Sequence, residues 1–321
     1  MDVILLCVVG LFILTLVLFW LSDADPILLF CDKFGKSPAS LAGKVIWITG
    51  ASSGIGEYLA YELAQNGCKL ILSARRPQEL ERVKKACLGK SSLADGDIMV
   101  LPLDVLDFDN HPRQVEVVLK YFKKIDILVN NAGRSQRSEF LQMPLAVHRE
   151  MLELNVLSVI SLTKAVLPHM LERKQGQIVV TSSIAGKIGV PFSATYSATK
   201  HALQGLLFAL QSELTGTNIA VSIVCPGSVI SGIVRNAFTS KPGEAYGIDI
   251  PDESMATERC AHLTVVAIAN RLLEVWIARQ PQLLVCYMFT HFPVVTVRLI
   301  QMFGMKRFSK FWKPKAKPPN A

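Results

Sequence analysis

Seven short runs of β-prone apolar residues, each closed by turn-forming residues and separated by helix-like stretches, constrain the fold of this chain more than any other feature. They are KVIWITG at 44–50, KLILSAR at 69–75, IMVLPLD at 98–104, IDILVNNAG at 125–133, QIVVTSS at 177–183, IAVSIVCPG at 219–227 and QLLVCY at 282–287. Runs this apolar suit strands covered on both faces. Between them lie stretches such as Gly56–Asn66, Gln78–Leu88 and Tyr196–Thr215, which read as helices. Such alternation implies a parallel sheet with helices on both sides. The expected fold is therefore α/β, a doubly wound parallel sheet of Rossmann type in a single domain.

The N-terminus adds a membrane anchor helix. Half of the 321 residues are hydrophobic, and no charged residue occurs from Val3 to Leu21. As a helix that run is about 28 Å long, close to the ~30 Å hydrocarbon core of a bilayer. A cleaved signal peptide is the competing reading, with Ser22-Asp23-Ala24 as a cleavage site, but Asp2 stands where such peptides carry a basic start. The expected organisation is an anchor at 1–24, a linker at 25–41, the domain at 42–290 and an apolar segment with a basic tail at 291–321. Lys33, Lys36 and Lys44 follow the anchor and favour a cytosolic body. The stretch FTHFPVVTVRLIQMFGM is interrupted by His291, Pro293 and Arg298, so it is a poor second span, and either an interfacial helix or part of the domain's packing.

Charge and cysteine usage exclude other classes. Six of the eight net positive units lie on Lys306, Arg307, Lys310, Lys313, Lys315 and Lys317, so the body is nearly neutral and offers no nucleic-acid-binding face. The seven cysteines are scattered without a Cys-x-x-Cys pair, which argues against a disulfide scaffold and against a metal site.

Chemistry is concentrated in three places. TGASSGIG, Thr49 to Gly56, runs from the first strand into a helix, and its glycines let a pyrophosphate reach the unpaired N–H groups of that helix. At the end of the second strand, where NAD-specific proteins usually place a carboxylate, the chain has Arg75 and Arg76, which favour the 2′-phosphate of NADP. Tyr196 and Lys200 stand four apart, on one face of a helix. A free tyrosine titrates near ~10, and an adjacent ammonium lowers that value and fits the phenol for acid–base work.

With TGASSGIG, NNAG at 130–133, Ser183 and Tyr196-x-x-x-Lys200 in this order, the chain resembles the short-chain dehydrogenase/reductase family over roughly residues 42–235. The resemblance implies that Tyr196 exchanges a proton with a carbonyl or alcohol oxygen. It further implies that Lys200 lowers the phenol's pKa and holds the nicotinamide ribose, that Ser183 bonds the substrate oxygen, and that Asn155 holds a proton-relaying water. Substrate contacts would thus come from Ser183 and Tyr196. Gly50, Ser52, Ser53, Ile55 and Arg75 match positions that contact the cofactor's phosphates and adenosine ribose. Asp104 matches an adenine contact, Asn131 lies beside the cofactor, and Pro226 and Gly227 match the turn beside the nicotinamide. Where the family often has a threonine, this chain offers Ser228 and Ser231. On the residues alone, Ser182 competes with Ser183, because a one-residue slip turns the other hydroxyl inward; Asn155 could cap a helix, and Asp104 could end a strand in an ordinary turn.

The expected function is an NADP(H)-dependent oxidoreductase of the endoplasmic reticulum membrane, reducing lipophilic carbonyls such as steroids, retinal or xenobiotic ketones and aldehydes. The partners are a lipophilic carbonyl or alcohol substrate, membrane lipid and, as an open option, a second copy in a homodimer. The alternative is an anchored dinucleotide-binding pseudoenzyme acting as sensor or scaffold. The segment from about Ser228 to Thr257 is expected to form the substrate loop.

Overall fold

The computed structural model describes residues 2–241, 243–248 and 254–304. The basic tail, expected after the apolar segment, lies outside the described residues, as does part of the substrate loop. The chain opens with helices α1 (Asp2–Leu21) and α2 (Pro26–Phe34), then β1 (Val45–Thr49), α3 (Gly54–Gln65), β2 (Lys69–Ser73), α4 (Pro77–Gly89) and β3 (Ile98–Val100). It continues through α5 (His111–Phe122), β4 (Ile127–Asn130), α6 (Leu145–Leu152), α7 (Ser158–Glu172), β5 (Gly176–Thr181), α8 (Ala194–Glu213) and β6 (Ile219–Pro226). The last elements are α9 (Thr257–Ala269), β7 (Glu274–Ile277), α10 (Gln282–His291) and α11 (Pro293–Leu299).

All seven strands are parallel, in the order β3-β2-β1-β4-β5-β6-β7. The chain winds outward from β1 to β3, returns to the centre and winds the other way from β4. Helices therefore cover both faces, and each face has its own apolar core. Ile46, Ile48, Leu70 and Leu72 belong to one, while Trp47, Ile71, Leu128 and Ile178 belong to the other. Successive residues of a strand point to opposite faces, so burial on both sides requires the unbroken apolar runs seen in the sequence. The registers Thr49↔Ser73, Asn130↔Val180, Thr181↔Val224 and Pro226↔Ile277 bring the carboxyl ends of the strands to one edge. The reversal of winding between β1 and β4 opens a crevice there, where ligands of such sheets bind.

One expectation is corrected. The last strand is Glu274–Ile277, whereas QLLVCY at 282–287 lies in helix α10. Glu274 to Ile277 alternate partly and fully buried, the two-residue period of an edge strand. In α10 the buried residues are Leu283 and Cys286, three apart on one helical face. A six-residue apolar run satisfies both periods, which is why it misleads.

The segment 25–41 packs against the domain through α2. Asp25 caps α2 by accepting from the Leu28 amide, with Pro26 in the first turn, and Leu28 is fully buried in the core. Asp25 also accepts from the Trp276 amide at 2.8 Å and donates its own amide to the Trp276 carbonyl at 2.9 Å. Arg259 of α9 bridges Asp23 and Asp32, and His262 sits between Asp32 and Glu62 at 2.8 and 3.0 Å. The outer face of α2 leaves Ile27, Phe30 and Phe34 exposed. Helices α1 and α2 meet at 86°. Together they are long and apolar enough to cross a bilayer as one bent pair, and so is Leu145–Glu172, which runs through α6 and α7 and is nearly half buried.

Candidate active site

The turn after β1 has Gly50 at φ +67°, and it delivers the chain into α3 through Ser52 and Ser53. A Cβ on Gly56 would lie 2.3 Å from the Gly50 carbonyl oxygen, so only glycine lets the first turn of α3 sit this close to the end of β1. Ser53 precedes the helix without capping it, Ile55 is half-buried in the first turn, and the first amides of α3 face the crevice end of the sheet. Arg82 of α4 holds the turn from behind. Its guanidinium binds both oxygens of Glu57 at 2.7 and 3.0 Å and reaches the Ser52 carbonyl at 3.3 Å. Sequence reasoning missed Arg82, which reads as a solvated helix residue.

Asn131 joins three strands. Its amide nitrogen donates to the Thr49 carbonyl at 3.1 Å, and its oxygen accepts from the Thr181 hydroxyl at 3.2 Å. Ser231 packs against the glycine turn, where a Cβ on Gly54 would lie 3.2 Å from the Ser231 Cβ, and its hydroxyl is buried with no partner among the described residues. Pro226 ends β6, and a Cβ on Gly227 would meet Gln282 of α10 at 2.5 Å. Gln282 also fastens Ser228, accepting from its amide and donating to its hydroxyl. Gln282 was hidden in the run misread as a strand.

Asp104 and Arg75 occupy the far end of this crevice and are exposed. One oxygen of Asp104 accepts from the Leu106 amide at 3.1 Å, the local turn that was the plainer alternative for this residue. Burial lowers the pKa of Arg134, the charge of Glu150 opposes this, and the charge of Arg75 adds a smaller lowering.

The two adjacent serines point in opposite directions. Ser182 turns toward α8, its hydroxyl accepting from Gln204 at 3.2 Å and donating to the Lys200 carbonyl at 3.4 Å. Ser183 points the other way. It caps a short turn by accepting from the Ala185 amide, donates to the Pro226 carbonyl at 3.2 Å and lies against the Tyr196 phenol. Tyr196 and Lys200 share a face of α8, with the Lys200 ammonium 5.7 Å from the centre of the phenol ring and bonded to the Thr181 carbonyl at 2.8 Å. Asn155 lies in a π-helical turn, Glu153–Leu157, between α6 and α7 and is 1% exposed. Its amide bonds the backbone of Arg134 on both sides and the Thr199 hydroxyl at 3.2 Å. A Cβ on Gly133 would lie 3.0 Å from the Asn155 oxygen and 3.9 Å from the Lys200 nitrogen, so both side chains flank that glycine.

Electrostatics adds a residue that the motif did not single out. Burial pushes the Tyr196 phenol up, opposed by the neighbouring Ser183 hydroxyl and by the charge of Arg137. Burial pulls Lys200 down to about 8. Arg137 is therefore a second positive charge acting on the phenol, beside the Lys200 ammonium 5.7 Å from its ring.

The family follows from comparison with known proteins. Residues 44–242 match the model of the short chain dehydrogenase family, and this span contains the glycine turn, Asn131, Asn155, Ser183, Tyr196 and Lys200. The chain belongs to the short-chain dehydrogenase/reductase family. It is 47% identical over 310 residues to dehydrogenase/reductase SDR family member 7 of Homo sapiens, covering 95% of this chain and 91% of the relative. Its fold is similar to that of an alcohol dehydrogenase from Thermococcus sibiricus complexed with 5-hydroxy-NADP, at TM-score 0.64 and 27% identity over 74% of this chain and 97% of that one. A short-chain dehydrogenase/reductase from Burkholderia phymatum in complex with NAD shares the fold at TM-score 0.67 and 24% identity over 87% and 99% of the two chains. As a member of this family the protein is an oxidoreductase of the dehydrogenase/reductase type, and its family implies a nicotinamide dinucleotide and a small-molecule substrate.

The residues present fit that cofactor. The turn carries no Cβ where a pyrophosphate would approach, and the orphaned hydroxyl of Ser231 lies beside it, a buried group in want of a partner.

Proposed function

We propose that this protein is an NADP(H)-dependent oxidoreductase that reduces lipophilic carbonyl compounds, held on the endoplasmic reticulum membrane by α1. The observation that carries the catalytic part is the buried contact of Ser183 with Tyr196, with Lys200 on the same helical face 5.7 Å from the ring. A phenol and a hydroxyl converging in one dry place suit an oxygen that gains or loses a proton.

The glycine turn, Ser52, Ser53, Ile55 and Asn131 would hold the dinucleotide, with Asp104 toward the adenine and Pro226, Gly227 and Ser231 toward the nicotinamide. Hydride transfer is the chemistry that the cofactor supplies when bound. The chain supplies the rest. Ser183 donates a hydrogen bond to the carbonyl oxygen and orients it, Tyr196 gives that oxygen its proton, and Lys200 and Asn155, which both flank Gly133, serve to restore the phenol's proton. Burial of all four groups keeps bulk water from competing with the substrate.

NADP is favoured over NAD by Arg75 and Arg76 just after β2, whose guanidiniums can pair with a 2′-phosphate, and by the lack of a carboxylate there. Solved relatives bind either form, so the charge at this position is what supports the choice. Membrane attachment is supported by α1, which is uncharged from Val3 to Leu21 and whose side chains from Leu5 to Leu21 are almost all exposed and apolar. A lipophilic substrate accords with that attachment.

The test is NADPH consumption by the full chain with a panel of steroid, retinoid and simple aromatic carbonyls. Native protein is expected to turn over at least one of them, Tyr196→Phe to lose about 10³-fold or more in kcat, and Arg75→Glu to lose preference for NADPH over NADH by about 10–100-fold. Equal rates for the native protein and Tyr196→Phe would instead indicate a dinucleotide-binding scaffold.

A further inference from the structure

Gln136 is fully buried and lies in none of the motifs that identify the site. Its side-chain oxygen accepts from two consecutive backbone amides, those of Thr195 at 2.9 Å and Tyr196 at 3.1 Å. These are the second and third residues of α8, whose first amides have no partner within the helix. Ser193, the residue that precedes α8, makes no side-chain cap of its own. The helix that carries the catalytic phenol is thus capped from the loop after β4, at the phenol's own amide. Two N–H donors fix the orientation of the Gln136 amide, because only its oxygen can accept both. Its nitrogen is left buried with no partner among the described residues.

The backbone around Gln136 holds a second element. The Phe238 amide donates to the Ser135 carbonyl at 2.8 Å, and the Arg137 amide donates to the Phe238 carbonyl at 2.9 Å. Phe238 belongs to the substrate loop, and its side chain is buried in one small cluster with Tyr196, Met143, Val147, Met151 and Ala185. On the other side, the Ser193 hydroxyl donates to the Gln136 carbonyl at 2.9 Å. Three consecutive residues, Ser135 to Arg137, therefore bridge the substrate loop and the start of α8.

We infer that Gln136 is a positioning residue for Tyr196, its side-chain oxygen setting the place of the phenol while its backbone ties that place to the substrate loop at Phe238. A shift of the loop at Phe238 passes through one peptide unit to the cap on the catalytic helix. The inference deepens the oxidoreductase reading and rests on it for its kinetic arm.

Tyr196 is faced by the titratable groups Arg137, Lys200 and Cys225, and His148 bonds the hydroxyl of the adjacent Thr195. Replacing Gln136 with glutamate keeps an acceptor for both amides and adds a negative charge to this set. Replacing it with leucine removes the acceptor at similar volume.

The experiment compares native full-length protein, Gln136→Glu and Gln136→Leu by hydrogen exchange of the Thr195 and Tyr196 amides and by the pH dependence of kcat on a carbonyl that the native protein reduces. Gln136→Leu is expected to lose protection at those two amides and about 10–100-fold in kcat, the size of a small misplacement of a catalytic group, with little change in the KM for NADPH. Gln136→Glu is expected to keep the protection, recover most of kcat and move the tyrosine-dependent limb to higher pH, since a nearby negative charge disfavours the phenolate. Native exchange and a native pH profile in both variants would overturn the inference. If Gln136→Leu does not fold, Gln136→Glu decides alone through its shifted limb, and an unshifted limb overturns the inference. If the native protein reduces no carbonyl, the oxidoreductase reading fails, and the exchange arm still tests the cap.

Discussion

Ser182 and Ser183 are adjacent, yet their hydroxyls serve opposite sides of the chain: that of Ser182 bonds within the packing of α8, and that of Ser183 meets the Tyr196 phenol. The division follows from the extended backbone at the end of β5, where successive side chains alternate in direction. Ser183→Ala is expected to lower kcat by about 10²–10³-fold with little change in melting temperature, the cost of removing one donor to a developing oxyanion. Ser182→Ala should do the reverse, keeping kcat within a few-fold while losing about 1 kcal/mol of stability. Parallel kinetics and thermal melts check both, and comparable kcat losses in the two variants would refute the assignment.

Gly56 tests the glycine turn. An added Cβ would sit 2.3 Å from the Gly50 carbonyl oxygen and 2.6 Å from the Asn131 amide, and the carbonyl belongs to backbone that cannot swing aside. Gly56→Ala is expected to cost about 1–3 kcal/mol and to abolish dinucleotide binding in calorimetry. Gly189, whose Cβ would meet nothing within 4 Å, provides the control, and Gly189→Ala should stay within about 0.5 kcal/mol of native.

Lys200 carries a buried charge at neutral pH. Burial lowers it from 10.5 to about 8 in the folded state, so between those values the unfolded chain binds more protons and stability rises with pH. Below about 8 the protein bears the whole penalty. Lys200→Met is therefore expected to gain on the order of 1–3 kcal/mol at pH 7, after allowing for the lost bond to Thr181, and to gain much less at pH 10, while turnover disappears. Urea melts at the two pH values decide it; an equal difference at both would sink the claim.

His262 docks α2 and behaves in the opposite sense. The bond to Glu62 raises its pKa, burial opposes this, and Asp32 adds to the rise. A raised folded value means that its contribution is complete below the ordinary histidine value near ~6.5 and is lost as pH climbs through the folded one. His262→Ala should therefore lower the melting temperature more at pH 6 than at pH 9. A penalty that is the same at both would show that the imidazole acts by packing alone.

Much of the molecule is determined by the chain read as a string. Period and run length specify the first six strands, because a strand covered on both faces must be apolar throughout. The glycine turn and the Tyr196–Lys200 spacing are local, since each depends on backbone conformation within a few residues. The edge strand was lost because QLLVCY is apolar under either period, and only the pairing of Glu274–Ile277 with β6 separates the two. The docking of 25–41 was likewise hidden, because Asp23, Asp25 and Asp32 find partners at Arg259, His262 and Trp276, more than 200 residues away.

What tertiary structure alone decided is which polar groups face one another. A hydroxyl can be counted in a sequence but its direction cannot, so Ser182 and Ser183 stayed interchangeable until β5 was placed beside α8. Gln136 and Arg137 gain their meaning only when the turn after β4 is laid across the start of α8, which puts an amide oxygen at the Tyr196 backbone and a fixed charge toward its ring. Secondary structure is set by near neighbours along the chain, whereas the acidity and position of a buried phenol are set by whatever the fold packs against it.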